Sequence, residues 1–130
     1  IDLAKPGVTH ADIEAHAQRL LTEGLVSLGI LRGNIDTLVE EKAFKPFYMH
    51  RIGHWLGLDV HDRGSYFVND VSRALQPNMT MTIEPGLYKK KEKIGIRIED
   101  DILITKDGSK NLSKNIIKEV KDIEEYLSKF

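Results

Sequence analysis

His50-Arg51-Ile52-Gly53-His54-Trp55-Leu56-Gly57-Leu58-Asp59-Val60-His61-Asp62 is the stretch on which the reading of this chain turns. It holds three of the five histidines. His50 and His54 are four apart, a spacing that would put them on one face of a helix. A thermolysin-type zinc site needs a glutamate directly after the first histidine as general base. Arg51 stands there, so spacing alone argues against that chemistry. From His54 to Asp62 the run is polar at both ends and apolar between. Such a run can floor a site, or it can leave partly exposed polar groups at a sheet edge.

Two carboxylates downstream sit in apolar surroundings. Glu84 follows the alternating run Met79–Ile83 and precedes Pro85-Gly86. Glu99 lies within Ile96–Ile104, two residues after Arg97. A carboxylate in a buried strand is costly unless it is paired or metal-bound. Arg97 and Glu99 would share a strand face, as a surface ion pair or as a metal ligand with an arginine behind it. Lys89-Lys90-Lys91-Glu92-Lys93 reads as a solvated hairpin loop. The chain has neither a Gly-rich phosphate loop nor a Gly-x-Ser-x-Gly elbow.

Around these residues the chain is ordinary. Its 130 residues match the length of one domain. Apolar residues make up 41%, charged residues 30%, and the mean hydropathy is -0.31. The net charge of -1 offers no overall field for nucleic acid or an anionic membrane. No apolar run approaches the ~18 residues of a membrane span. The absence of cysteine excludes disulfides, thiolate zinc sites and cysteine nucleophiles. Thr9 and Asp12 suggest a capping box. Ile13, Ala17, Leu20, Leu21, Leu25 and Leu28 then form a helical stripe over roughly 10–28, with Gly29 as its cap. A shorter helix is expected after Asn34, with Ile35, Leu38 and Val39 inward, ending at Lys45-Pro46. Strands are expected at Met79–Ile83, Gly95–Ile98 and Ile102–Ile104. Ile116, Ile117, Val120, Ile123 and Leu127 predict a closing amphipathic helix over 114–130. The order implies an α+β fold.

Three segments together resemble the Xaa-Pro aminopeptidase (aminopeptidase P) family. They are His50 to Asp62, Thr82-Ile83-Glu84-Pro85-Gly86-Leu87-Tyr88, and Gly95-Ile96-Arg97-Ile98-Glu99-Asp100-Asp101. The resemblance implies a pita-bread fold, a curved antiparallel sheet flanked by helices. It implies two divalent metal ions, usually Mn²⁺, and hydrolysis of the N-terminal Xaa-Pro bond through a metal-bridging hydroxide. It makes His54, Glu84 and Glu99 metal ligands, with Glu99 shared by both ions. Glu84 would also relay a proton. His50 and His61 would contact substrate and assist catalysis, Arg97 would support the site, and Tyr66 would stand near the substrate. One imidazole with carboxylates is a hard ligand set that suits Mn²⁺. The expected partner is a peptide with proline second. A homo-oligomer and a cytoplasmic setting are also expected, with no nucleic-acid or membrane partner.

Two departures from the family pattern shape the expectation. Arg51 stands where many relatives carry glycine, and it leaves the ligands intact. The two aspartate ligands that the family draws from upstream strands have no counterpart in residues 1–47. Residues 1–130 are therefore expected to be the C-terminal portion of the catalytic domain, with Ile1 at a cut edge. Alone they should be inactive and bind metal weakly. A half-domain should also expose apolar surface and self-associate. Prolidase, which cuts Xaa-Pro dipeptides, and a non-catalytic peptide-binding module are the competing readings. Trp55 after His54 leans towards the aminopeptidase, and retention of all three ligands argues against the module.

Overall fold

Thr9 starts the first helix as the sequence predicts. In the computed structural model, which describes residues 1–130, its hydroxyl accepts from the Asp12 backbone N–H, and the Asp12 carboxylate returns a bond to the Thr9 N–H. Helix α1 runs His10–Ser27. It ends on Gly29, whose φ of 69° lets the Gly29 and Ile30 N–H groups turn back onto the Val26 and Leu25 carbonyls. The buried stripe is Ile13, Ala17 and Leu25 with Leu21 half-buried, whereas Leu20 and Leu28 face out. The helix also buries His10 and Thr22, which apolar periodicity passes over.

Helix α2 spans only Ile35–Glu40, with Asn34 capping it through the Thr37 N–H. It stops well before Lys45-Pro46. Lys42 adopts φ 56°, and the Lys42 and Ala43 N–H groups close back onto the Val39 and Leu38 carbonyls. A left-handed lysine thus does what a glycine usually does. Ile35, Leu38 and Val39 are half-buried.

The middle of the chain is antiparallel. Strands β1 (Phe67–Val68) and β2 (Val71–Ser72) form a small exposed hairpin. Strand β3 (Thr80–Ile83) pairs with β6 (Asp100–Ile104), which pairs with β7 (Ser109–Asn111). Strands β4 (Gly86–Lys89) and β5 (Ile94–Arg97) form a second hairpin, and the lysine run makes its turn. On the free side of β3 the segment 52–56 lies antiparallel: Leu56 N–H bonds to Thr80 O, Thr82 N–H to His54 O, and Glu84 N–H to Ile52 O. His54 is thus on extended chain and His50 in a bend before it, and neither is on a helix face.

Ile13 and Ala17 of α1 pack with Ile52, Trp55, Leu75, Met81, Ile83, Ile102 and Ile104 into the main core. Burying each large side chain contributes about 1.5–3 kcal/mol. A second cluster joins Leu25, Phe44 and Tyr48. Burial pushes the Tyr48 phenol well above its ordinary range, with the nearby Glu14 carboxylate adding to the shift. The Glu14 carboxylate also accepts the Ile52 N–H, tying α1 to the strand-like segment.

The C-terminal helix is shorter than its apolar spacing predicts. Helix α3 covers Val120–Leu127, and none of its residues is buried. Ile116 and Ile117 lie in the irregular segment before it and are exposed. Lys118 explains the late start, because its ammonium pairs with Asp100 and pins that segment to β6. Burial raises the Asp100 carboxyl, but bonds from Lys118, Asn111 and Ser113 outweigh it and hold the group below its ordinary value. No helix is long and apolar enough to cross a membrane.

Candidate metal centre

Three chain segments deliver three ligand-type side chains to one point. His54 comes from the extended segment beside β3, Glu84 from the end of β3, and Glu99 from the link between β5 and β6. One donor atom from each lies within 4.8 Å of the others. His54 Nε2 is 3.4 Å from Glu84 Oε1 and 3.9 Å from Glu99 Oε1. Donors bound about 2.1 Å from one ion stand roughly 3–4 Å apart, so small adjustments would close these three on a cation.

The supporting bonds prepare His54 for that role. Its Nδ1 lies 3.0 Å from the Trp55 carbonyl, which can only accept, so Nδ1 carries a proton and Nε2 is the ring nitrogen turned to the carboxylates. Thr82 links two of the ligands. Its hydroxyl accepts from the His54 backbone N–H at 3.0 Å and donates to Glu84 Oε1 at 3.2 Å. Gly53 is required beside it, since a Cβ there would lie 1.9 Å from the Thr82 carbonyl oxygen.

The arrangement refines the two open readings of Arg97 and Glu99. Arg97 closes β5 on its exposed face, and its Nη1 stands 3.5 Å from Glu84 Oε2. The arginine therefore pairs with Glu84 rather than with its near neighbour Glu99. Glu99 is exposed, outside both flanking strands. Lone, solvated carboxylates need no partner, but this one is aimed at His54.

His50, His61 and Tyr66 line the same open pocket of about 530 Å³, together with Arg51, Gly53 and Val60. His50 donates from Nδ1 to the Arg51 carbonyl at 2.8 Å, leaving Nε2 to accept from the Tyr88 hydroxyl at 2.9 Å. The His61 ring sits 4.2 Å from that of His54. Tyr66 accepts the Trp55 N–H at 3.1 Å and stacks on the indole at 5.3 Å. The apolar floor expected between His54 and Asp62 is confined to its first residues. Trp55 is buried, but Leu58 and Val60 are on an exposed loop that returns where the Asp62 N–H meets the Trp55 carbonyl.

Sequence reasoning misses three supports of the site. Tyr88 is visible only as a motif aromatic, and Thr82 only as a member of an alternating strand. His10 carries no signal at all. It is buried at the start of α1, where its Nε2 donates to the Gly53 carbonyl at 3.0 Å and its ring meets Tyr66 edge-on. Burial lowers its pKa below the ordinary 6.5, with Arg51 adding in the same direction against Gly53 and Glu14.

The chain matches the model of metallopeptidase family M24 over residues 1–106. It is 45% identical to the Xaa-Pro aminopeptidase of Escherichia coli over 94% of its own length and 29% of that protein. It is also 45% identical to the Xaa-Pro aminopeptidase of Haemophilus influenzae, covering 31% of it. The solved aminopeptidase PepP of Pseudomonas aeruginosa superposes with a TM-score of 0.91 at 43% identity, over 98% of this chain and 31% of that one. A zinc-substituted E. coli aminopeptidase P in complex with product gives 0.89 at 44% identity, over 97% of this chain and 30% of that one. The chain thus spans about a third of the length of these relatives, and its helices and antiparallel sheets are a part of their fold.

Proposed function

Because this chain belongs to metallopeptidase family M24, we propose that it is the C-terminal part of the catalytic domain of an Xaa-Pro aminopeptidase, a hydrolase that removes the residue preceding proline from a peptide N-terminus. The observation that carries the proposal is the convergence of His54 Nε2, Glu84 and Glu99 within 4.8 Å, with the other His54 nitrogen already committed to the Trp55 carbonyl.

His54, Glu84 and Glu99 are the proposed ligands of divalent ions, and Mn²⁺ suits their one-nitrogen, oxygen-rich set. Such ions, when bound, lower the pKa of a water and polarise the scissile carbonyl. The chain's own groups supply the rest. Glu84 is the proposed proton acceptor for the attacking water, with Oε1 oriented by Thr82 and Oε2 beside Arg97. His61 faces the pocket, where it can donate to oxygen as charge develops on the carbonyl, and His50, its ring nitrogens held by the Arg51 carbonyl and the Tyr88 hydroxyl, lines the wall that substrate would contact. Arg97 supplies a positive charge to the same pocket. Proline in the second position leaves the scissile nitrogen without an N–H, so recognition there is by shape. Tyr66 offers a fixed aromatic wall.

Two further aspartate ligands would come from chain upstream of Ile1 in the full-length protein. On this reading residues 1–130 alone bind metal weakly and turn over no substrate. A homo-oligomer and a cytoplasmic setting belong to the same proposal and rest on the resemblance alone. The test is hydrolysis of Ala-Pro-Ala by the full-length protein with Mn²⁺, with alanine release followed over time. His54→Ala and Glu84→Gln should each lower kcat/KM by about 10³-fold or more, a transition-state loss of about 4 kcal/mol. Failure of the unmodified protein to release alanine contradicts the proposal.

A further inference from the structure

The pocket beside the His54, Glu84 and Glu99 cluster contains one guanidinium that no acid of residues 1–130 answers. Arg97 has Glu84. His54 faces Glu84 and Glu99. Arg51 lines the same pocket, and no ion pair of the chain uses it. Glu14 of α1 lines an adjoining pocket with Arg51 but makes no ion pair with it, and its carboxylate accepts from the Ile52 N–H and the Gln18 amide.

Arg51 is also held in place. Its guanidinium carbon lies 5.4 Å from the centroid of the Tyr66 ring. That ring is itself fixed, stacked on Trp55, met edge-on by His10, and bonded through its hydroxyl to the Trp55 N–H. A guanidinium resting on an aromatic face keeps its N–H edge free, and that edge matches a carboxylate with two parallel bonds. An unpaired charge in a concave site, braced and with its donors unspent, is an anion receptor more than a surface decoration.

The reach of the site limits which anion. A sphere of 530 Å³ is about 10 Å across, the length of about three extended residues. A carboxylate bound at Arg51 therefore belongs to a residue within about two positions of a bond held at the His54, Glu84 and Glu99 cluster. We propose that Arg51 is a specificity-determining residue that binds a carboxylate of a short peptide substrate, and so favours acidic peptides over neutral ones of the same length. This rests on the peptidase reading above. The carboxylate can be the C-terminus of a tripeptide or an acidic side chain in the residue before proline, since both present the same two oxygens.

Two peptide pairs separate these sources in the full-length, Mn²⁺-loaded protein. The first compares Ala-Pro-Ala with a free C-terminus against its amide. The second compares amidated Asp-Pro-Ala against amidated Asn-Pro-Ala. In Arg51→Gln, the acid-to-neutral ratio of kcat/KM should fall about tenfold in one pair, and that pair identifies the source. Arg51→Lys, which keeps the charge but loses the flat fork, should fall in between. Ratios that match the unmodified protein in both pairs overturn the proposal. So does a loss equal for acid and neutral peptides, which would mark Arg51 as merely structural. A second readout is independent of turnover. Calorimetric titration of the metal-free full-length protein with the same four peptides follows their binding directly. Should the unmodified protein cleave no Xaa-Pro peptide, the peptidase reading fails. The titration then decides the role of Arg51 alone. Tighter binding of the acid peptides, lost in Arg51→Gln, upholds it, and equal binding of acid and neutral peptides refutes it.

Discussion

The β3–β6–β7 sheet and the β4–β5 hairpin meet at the cluster of His54, Glu84 and Glu99, and they are packed in opposite ways. Met81, Ile83, Ile102 and Ile104 of the sheet lie in the core, and Thr82 is buried with them. Every residue of β5 is exposed. His54 and Glu84 stand on the packed side, joined through the Thr82 hydroxyl. Arg97 and Glu99 stand on the exposed side. One half of the site is thus set by the chain's own core. The other half is placed by a hairpin and its following link, where Ile94, Ile96 and Ile98 are exposed.

That contrast can be broken by stability measurements. Ile102→Ala, at a fully buried position, should cost about 2–5 kcal/mol in urea unfolding. Thr82→Val comes next. It keeps the shape but leaves the His54 N–H without its acceptor, a loss of about 1–3 kcal/mol. The same variant should weaken Mn²⁺ binding, which a purely structural threonine would not do. Ile96→Ala, on the exposed strand, should change stability by no more than about 0.5 kcal/mol. Equal losses for Ile96→Ala and Ile102→Ala would remove the distinction between the two halves.

A pH titration sharpens the packed side further. His10 is buried against Gly53, and its folded pKa is lowered below 6.5. As pH falls through 6.5 the unfolded chain takes up a proton before the folded chain does. The contribution of His10 is therefore complete above pH 6.5 and is lost as the solution is acidified below it. Urea midpoints should drop between pH 7.5 and 5.5, and His10→Asn should flatten that drop. An unchanged slope in the variant would assign the acid sensitivity elsewhere.

These two halves are not equally legible in the sequence. Capping of α1 by Thr9 and Asp12, and the alternation around Thr80 and Thr82, are local signals, and local signals hold where the core agrees with them. His54, Glu84 and Glu99 become a constellation only through the three ordered motifs, because they are 30 and 45 residues from first to second and third in the chain and no period links them. The C-terminal helix misleads in its extent. Ile116 and Ile117 keep the helical rhythm, yet the Lys118–Asp100 pair holds their segment in an irregular course, a contact across 18 residues that no local pattern encodes. Strand alternation puts Arg97 beside Glu99, but β5 ends at Arg97 and the side chain crosses to Glu84. His10 looks like any polar residue in a first helical turn.

On the proposed reading, residues 1–130 hold a preformed but partial metal site built on His54, Glu84 and Glu99. Calorimetric titration of residues 1–130 with Mn²⁺ tests it directly. The expected result is one weakly held ion, with Kd between about 1 μM and 1 mM, and no binding in His54→Ala or Glu84→Gln. Tight binding of two ions, or binding that survives His54→Ala unchanged, would contradict it.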